Sequence, residues 1–397
     1  MTDLNEFRTD VRDWLLANCP QSLIGNEATA FDGCWGGRKA VWENPDEKRW
    51  LEIMVEQRWT APTWPAEFGG GGLDEDHARV IRQEMAAASI PPALVGFGLT
   101  MIGPAILAFG SEEQKREHLP AIVSGEIRWA QGYSEPGAGS DLASLRTSCV
   151  REGDQWVVNG QKCWTSYADI SDWMFMLVRT NLDVKKQAGI TFLLVDMDAE
   201  GVSIQPTLLI SGKSPFCETF FDDVRVPLNN VVGPVDGGWT VGKAVLEFER
   251  STHGDVFSTA GPAEENPVVA AAREYVGTDD GRIVDPAIRD QVAQIEMDRR
   301  CFEATIERIR LGISPGDKPG PASSMFKLYA SEFNLRRQHL LTGILGPQAL
   351  GWEGEGFDTK ALETTRDWLR SRGNTIEGGT SEVQLGIIAK RVLGLPD

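Results

Sequence analysis

The sequence predicts a mainly α-helical protein with an all-β insert in its middle. In the first part of the chain, apolar side chains recur at three- and four-residue steps, the period of one helix face. From about Trp129 the period changes to two, which is typical of strands, and after VVGPVDGGW (231–239) the helical period returns. Helices, strands and again helices in 397 residues indicate three domains, because a single core rarely grows so large.

The N-terminal region begins with an amphipathic helix. A second helix is predicted in EEQKREHLPAIVSG (112–125), with Ser111 as its N-cap and Gly125 at its end. Between them APTWPAEFGGGGL (61–73) is predicted as a loop, because Pro and Gly interrupt both helix and strand. The apolar face of the first helix consists of Leu4, Phe7, Val11, Trp14 and Leu15.

The middle region reads as about a hundred residues of short strands. DQWVVNGQKCWTS (154–166) predicts a hairpin that turns at Asn159-Gly160, a pair suited to a type I′ turn. Turn residues separate the strands that follow. These strands are DWMFMLVRT (172–180), GITFLLVDMD (189–198), VSIQPTL (202–208) and CETFFDDVRVP (217–227).

The C-terminal region is again helical. One helix face carries Val241, Ala244, Val245 and Phe248, and the helical period is seen again in IRDQVAQIEMDRRCFEATIERIR. Between these two stretches, GTDDGRIVDP (277–286) interrupts the helices. For the last helix the spacing of Ser381 and Gln384 predicts a capping box.

Composition excludes several classes of protein. The net charge of −19, from 39 basic and 58 acidic residues, disfavours a nucleic-acid-binding protein. No run of eighteen apolar residues occurs, so we expect no membrane span. The six cysteines lie far apart and the four histidines are scattered, which disfavours disulfides and a metal site and predicts a reducing cytoplasm.

A glycine-rich segment, QGYSEPGAGSDLASLRT (131–147), follows a predicted strand and could bring backbone N–H groups close to a ligand. It has neither the G-x-G-x-x-G fingerprint nor a Walker lysine, so an ordinary loop is the simpler interpretation of this segment alone. Four motifs in order change that interpretation, because together the chain resembles the acyl-CoA dehydrogenase family over its whole length. The motifs are YSEPGAGSD, VNGQKCWTS, FFDDVRVP and GGTSEVQ.

The resemblance implies an N-terminal α-helical domain (1–127), a middle β-barrel (128–236) and a C-terminal four-helix bundle (237–397). It also implies an FAD enzyme that acts on an acyl-CoA thioester. One carboxylate takes the α-proton while the β-hydrogen leaves as hydride, giving a trans-2-enoyl-CoA. The electrons then pass to electron-transfer flavoprotein.

The resemblance also assigns flavin-contacting residues. Ser134 and Ser166 fall where hydroxyls meet the flavin ring, Trp164 falls where a tryptophan packs on it, and Gln131 replaces a common aromatic residue. Without the resemblance to the family, the simpler interpretation would be that Trp164 fills the core and that Ser166 is a turn residue. For the adenylate half the expected residues are Thr380, Ser381 and Glu382, next to glycines that precede a helix.

Two glutamates compete for the role of catalytic base. Alignment of GGTS puts Gly378 at the base position of medium-chain enzymes and leaves Glu377 one residue early. Another branch of the family places the base just before an arginine, which matches Glu249 and Arg250. Because Glu249 borders the apolar face of its helix, it could be half-buried with a raised pKa. We therefore expect Glu249 to be the base, with a solvated surface residue as the alternative.

The remaining expectations concern substrate and assembly. Ser140, Arg250, Glu377 and Gly378 are expected on the substrate side. The family's Arg-x-x-Phe-Gly segment is missing, with GTDDGRIVDPAIRD in its place. Arg282 and Arg289 are the candidates to replace its arginine, and the sequence does not choose between them. The resemblance implies a tetramer, either of one chain or with a related partner, as in bacterial enzymes acting on steroid side-chain or dicarboxylic acyl-CoAs. A desulfinase, an oxidase and a non-catalytic subunit are the alternatives, and acyl length and branching stay open.

Overall fold

The computed structural model describes residues 4–25, 34–256, 266–311, 320 and 323–396, with no side-chain description for 250–256, 310, 311 and 323. The chain divides into two compact units. Unit 1 comprises Met1–Thr207 and Ser214–Glu249, and unit 2 comprises Leu208–Lys213 and Arg250–Asp397. The predicted boundaries after residues 127 and 236 remain predictions.

The N-terminal part of unit 1 is helical, as predicted. In α1 the residues Val11 and Leu15 are buried, and they belong to one core cluster with Trp50 and Met54 of α2 and Ile81 of α3. The described helices here are α1 (Leu4–Asn18), α2 (Pro45–Glu56), α3 (Glu75–Ala87), α4 (Gly103–Phe109) and α5 (Glu112–Val123).

Two local predictions in this part are confirmed. Ser111 caps α5 in a capping box, because its hydroxyl accepts from the Gln114 N–H and the Gln114 side chain accepts from the Ser111 N–H. The segment 61–73 is loop apart from one 3₁₀ turn, Ala66–Phe68. None of the described helices is long and apolar enough to cross a membrane.

A curled, mixed sheet of seven strands forms the middle of unit 1. Its path runs β1-β4-β2-β3-β7-β6, with β5 paired to β4, and β1 lies parallel to β4. The four remaining long ladders are antiparallel. The strands are β1 (Trp129–Gly132), β2 (Ser148–Glu152), β3 (Gln155–Ser166), β4 (Trp173–Arg179), β5 (Ile190–Asp196), β6 (Val202–Thr207) and β7 (Phe216–Pro227).

The predicted hairpin at Asn159-Gly160 is wrong. Both residues lie inside β3, a single strand that pairs with β2 on one side and β7 on the other. The register against β7 shifts between Val158 and Gly160, so the glycine accommodates a bulge and not a turn. A φ of 151° at Gly160 and a close approach to Thr147 explain why glycine is needed there. The real turn joins β2 to β3, where Gly153 has a φ of 63°.

Unit 2 contains the remainder of the helical region. Helix α6 (Gly238–Val256) runs from unit 1 into unit 2, and the segment that interrupts the helices holds a two-strand hairpin, β8 (Thr278–Asp279) and β9 (Arg282–Ile283). A core cluster joins α7, α8, α9 and α10 through Val268, Val292, Leu341 and Ala361. The helices are α7 (Pro267–Ala271), α8 (Pro286–Leu311), α9 (Ser323–Leu345), α10 (Thr359–Ser371) and α11 (Ser381–Ile387). The predicted helix–strand–helix class is confirmed.

The bulge gives a stability prediction. Gly160→Ala should lower the free energy of unfolding by about 3 kcal/mol, because it adds backbone strain and a Cβ only 2.7 Å from the Thr147 Cα. Gly153→Ala is the matched control, since its Cβ would meet no atom within 4 Å and only the positive φ opposes it, at about 1 kcal/mol. Thermal unfolding of both variants checks this, and equal midpoints would contradict it.

Candidate functional site

The end of β1 places two predicted flavin residues at the surface of unit 1. Gln131 and Ser134 are both partly exposed, while Tyr133 between them is buried and its hydroxyl donates to the Gly242 carbonyl of α6 at 3.4 Å. The Ser134 carbonyl accepts from the Cys163 N–H at 2.9 Å. The backbone of Ser134 is thereby attached to β3 one residue before Trp164.

Trp164 does not fill the core, because 58% of its surface is exposed. It lies where the β3–β7 register shifts between Lys162 and Thr165, and its φ of 59° is unusual for a bulky residue. Its ring meets Phe216 edge to face, with 5.9 Å between centroids. Ser166, the last residue of β3, is partly exposed. A large aromatic side chain held outward on strained backbone is suited to contact a flat ligand.

A buried ion pair lies beneath this surface. Lys162 is fully buried, and its Nζ donates to the Glu135 carboxylate at 2.8 Å and to the Tyr133 carbonyl at 3.1 Å. The same carboxylate accepts from the N–H groups of Arg146 at 2.6 Å and Thr147 at 2.9 Å. One pair of charges therefore connects the end of β1, the start and end of the glycine-rich loop, and β3.

Burial and charge act in opposite directions on both partners. Burial raises the pKa of the Glu135 carboxyl, but the Lys162 ammonium and the hydrogen bonds outweigh it, so the pKa lies below its ordinary value. Burial also lowers the pKa of Lys162, and Glu135 opposes that change. The depressed Glu135 pKa means that the pair stabilises the fold above the ordinary carboxyl pKa. This contribution is lost as the pH falls through the lower, folded-state pKa.

A second buried cation binds the backbone in the C-terminal part of the same loop. The guanidinium of Arg179, in β4, donates to the Ala143 carbonyl at 2.6 Å and to the Leu145 carbonyl at 3.3 Å. Between these attachments the predicted substrate residue Ser140 is exposed. The glycine-rich segment is thus a loop with fixed ends and an accessible middle.

Glu249 lies on the last described side-chain turn of α6 and is partly buried. Val241 and Val245 on this helix are buried in the core of unit 1, and Phe248 packs partly against that core. Burial raises the pKa of Tyr133, and the negative charge of Glu249 raises it further. The carboxylate is therefore electrostatically linked to the strand end that carries Ser134. The side chain of Arg250, its predicted neighbour in the site, lies outside the described residues.

The competing Glu377 has a different environment in unit 2. Its side chain is 41% exposed and accepts from Arg370 at 2.7 Å and from Asn374 at 2.6 Å. The Glu377 carboxylate is therefore already engaged by two side chains of its own unit.

The predicted adenylate residues Thr380, Ser381 and Glu382 directly follow a glycine turn of unit 2, Gly378–Gly379. The predicted N-cap of the helix that begins there is wrong. Thr380, and not Ser381, is the N-cap of α11, since its hydroxyl accepts from the Val383 N–H. Ser381 donates to Glu332 of α9 at 2.7 Å, and Gln384 donates to the Gly378 carbonyl at 2.9 Å. The observed N-cap lies one residue before the predicted one, because threonine and serine are adjacent here and both can cap a helix.

These residues fit FAD in two respects. Unit 1 presents an outward tryptophan and two partly exposed serines, which suit a flat heteroaromatic ring. In unit 2 the N–H groups of Gly378, Gly379 and Thr380 make no hydrogen bond within the described part of the chain, which suits an anionic group. Sequence reasoning missed Glu135, Lys162 and Arg179 as supports, although a lysine inside an apolar strand was an available signal.

The ion pair gives the next prediction. Lys162→Met should cost about 3–5 kcal/mol of unfolding free energy, because Glu135 would stay buried without its partner charge. The double variant Glu135→Gln/Lys162→Met should regain part of this loss. Lys186→Met, which removes an exposed pair with Asp141, is the control and should cost about 1 kcal/mol or less. Denaturation of the four proteins checks this, and a control as unstable as Lys162→Met would disprove it.

Comparison with known proteins covers the whole chain. The family models for the N-terminal, middle and C-terminal domains of acyl-CoA dehydrogenases match residues 37–126, 130–224 and 236–393. Acyl-CoA dehydrogenase IpdE1 of Mycobacterium tuberculosis is 37% identical over 100% of this chain and 99% of its own length. Acyl-CoA dehydrogenase FadE26 of the same organism is 34% identical over 86% of both chains.

Solved structures agree with these relatives. The Tcur3481-Tcur3483 steroid ACAD superposes with a TM-score of 0.77 at 29% identity, covering 99% of this chain and 97% of that one. The ChsE4-ChsE5 complex from Mycobacterium tuberculosis has a TM-score of 0.74 at 30% identity, covering 100% and 98%. The chain therefore belongs to the acyl-CoA dehydrogenase family and is an FAD-dependent oxidoreductase.

Proposed function

We propose that this protein is a catalytically active dehydrogenase that converts an acyl-CoA thioester to the trans-2-enoyl-CoA. The observation that supports this most is the composition of unit 1. It holds a partly buried carboxylate, Glu249, together with an outward Trp164 and the hydroxyls of Ser134 and Ser166. A protein that had lost catalysis and kept only a structural role would not need such a carboxylate in the same unit as these residues.

FAD, when bound, supplies the acceptor for the β-hydrogen. Trp164 would pack on the ring, the Ser134 and Ser166 hydroxyls would donate hydrogen bonds to ring atoms that gain electron density, and Gln131 would belong to the same set of flavin-contacting residues. In unit 2, Thr380, Ser381 and Glu382 hold the adenylate half. Each of these roles is carried by a side chain that is at least partly accessible.

Glu249 takes the α-proton. This proton is weakly acidic, so the reaction needs a carboxylate that is held in place and partly shielded from water, and Glu249 is partly buried on α6. Ser140, Arg250, Glu377 and Gly378 contact the substrate. The donor that stabilises the developing enolate is expected among the groups that meet the thioester oxygen.

Electron-transfer flavoprotein is the proposed electron acceptor, and a reducing cytoplasm is the proposed location. For the acyl group, one of the similar structures, the Tcur3481-Tcur3483 protein, is described as a steroid ACAD. We therefore propose a bulky, steroid-derived acyl-CoA as the first substrate class to test. Oxygen consumption without an added acceptor would instead identify an oxidase, and sulfite release a desulfinase.

The base assignment predicts that Glu249→Gln slows flavin bleaching by an acyl-CoA about a hundred- to ten-thousand-fold. Glutamine keeps the side-chain shape but cannot accept a proton. FAD content and thermal midpoint should change little. The rate is measured by rapid anaerobic mixing with the best substrate from an acyl-CoA panel.

Two matched variants accompany this experiment. Glu247→Gln lies on the same helix and is also partly buried, and Glu377→Gln removes the competing carboxylate. Both should bleach within about tenfold of the wild-type rate, on the order of 1 kcal/mol in barrier. Loss of bleaching in Glu377→Gln, with Glu249→Gln near wild type, would reverse the assignment.

The assembly prediction is a tetramer, formed by this chain alone or with a homologous partner chain. The family places the adenine half of FAD against a second chain, and one similar structure is a complex of two differently named proteins, ChsE4 and ChsE5. Light scattering after size exclusion, with and without a co-expressed relative, measures the mass. A monomer that retains one FAD per chain would refute this prediction.

A further inference from the structure

Helix α9 carries a row of polar side chains on its buried face. Positions in a helical bundle that repeat at alternating steps of three and four are normally apolar. Here the row includes a lysine that is only 5% exposed. Burying a polar side chain is costly unless it forms a hydrogen bond, so hydrogen-bond partners are expected for this row. Its members are Ser324, Lys327, Ser331, Asn334 and Gln338.

Two members of the row, Lys327 and Asn334, have partners in the turn before α11, whereas Ser331 donates to carbonyls of its own helix. Lys327 Nζ donates to the Gly379 carbonyl at 2.7 Å, and Asn334 donates to Asn374 at 2.9 Å. From α11 itself, the buried Gln384 donates to the Gly378 carbonyl at 2.9 Å. Both carbonyls of the glycine pair are therefore held by buried side chains.

The glycine pair needs such support. Gly378 and Gly379 have φ values of 62° and 95°, in the region that glycine enters freely and other residues avoid. The same freedom means that the turn has many alternative conformations of similar energy. With its carbonyls engaged, the turn keeps three successive N–H groups that have no acceptor among the described residues.

We propose that Lys327 is a positioning residue for the nucleotide half of FAD, acting through the Gly378–Gly379 turn. This rests on the proposed assignment of Thr380, Ser381 and Glu382, which directly follow the turn, to the adenylate half. The lysine does not contact the cofactor. It binds the Gly379 carbonyl, and this keeps the turn in the conformation whose N–H groups meet an anion, so that binding does not have to order the turn.

The test compares FAD binding by apoproteins. Lys327→Met keeps the length of the side chain and removes the charged donor, and Lys360→Met on α10 is the exposed control. FAD is removed, the apoproteins are titrated with FAD by flavin fluorescence, and apoprotein unfolding is followed separately by circular dichroism. We expect the FAD dissociation constant of Lys327→Met to rise at least about tenfold, the size of a lost hydrogen bond from a charged group, with the control unchanged.

A purely structural lysine would instead lower the apoprotein midpoint and leave the FAD affinity of the folded fraction unchanged, and that result would overturn the proposal. If Lys327→Met does not fold, Gln384→Met, which removes the companion bond to Gly378, decides the question by the same measurements. Failure of the wild-type protein to bind FAD would refute the cofactor assignment itself, and this is visible before any variant is compared.

Discussion

The surface proposed to meet the flavin depends on one buried ion pair, Glu135 with Lys162. Each of its hydrogen bonds fixes a different piece of backbone: the carbonyl of Tyr133, the N–H groups at the end of the loop, and β3 itself. Apolar packing could not do this, because it is non-directional and cannot specify which backbone group lies where. The cost of burying two charges is offset by the number of polar groups that they satisfy.

In unit 2, buried polar side chains likewise fix the backbone of a proposed binding segment. A glycine turn has no side chains of its own to pack, so its shape is determined by donors from neighbouring helices, above all Lys327 and Gln384. In both units the groups assigned to the ligand are at least partly accessible, and the charged or polar groups behind them are buried. Rigid support behind an accessible surface reduces the ordering that binding would otherwise require.

Two residues near the proposed flavin surface also have strained backbone. Trp164 has a left-handed φ at a register shift, and Tyr167, close after the end of β3, also has a positive φ. Such residues cost about 1–3 kcal/mol each and persist only where surrounding structure determines them. Here the ladders of β3 with β2 and β7 supply that constraint. The outward position of Trp164 is therefore a property of the sheet and not of the local sequence.

The sequence by itself determined the order of helices and strands, the cap at Ser111 and the family, because these depend on periodicity, local hydrogen bonds and spaced motifs. It also placed Glu249 at the edge of an apolar face, and α6 buries Val245 of that face. The tertiary structure alone decided that Asn159-Gly160 lies inside a strand, that Thr380 caps α11, and that Lys162 and Lys327 are buried. Each of these depends on a partner distant in sequence, such as Thr147 for Gly160 or Gly379 for Lys327, and local patterns carry no information about such partners.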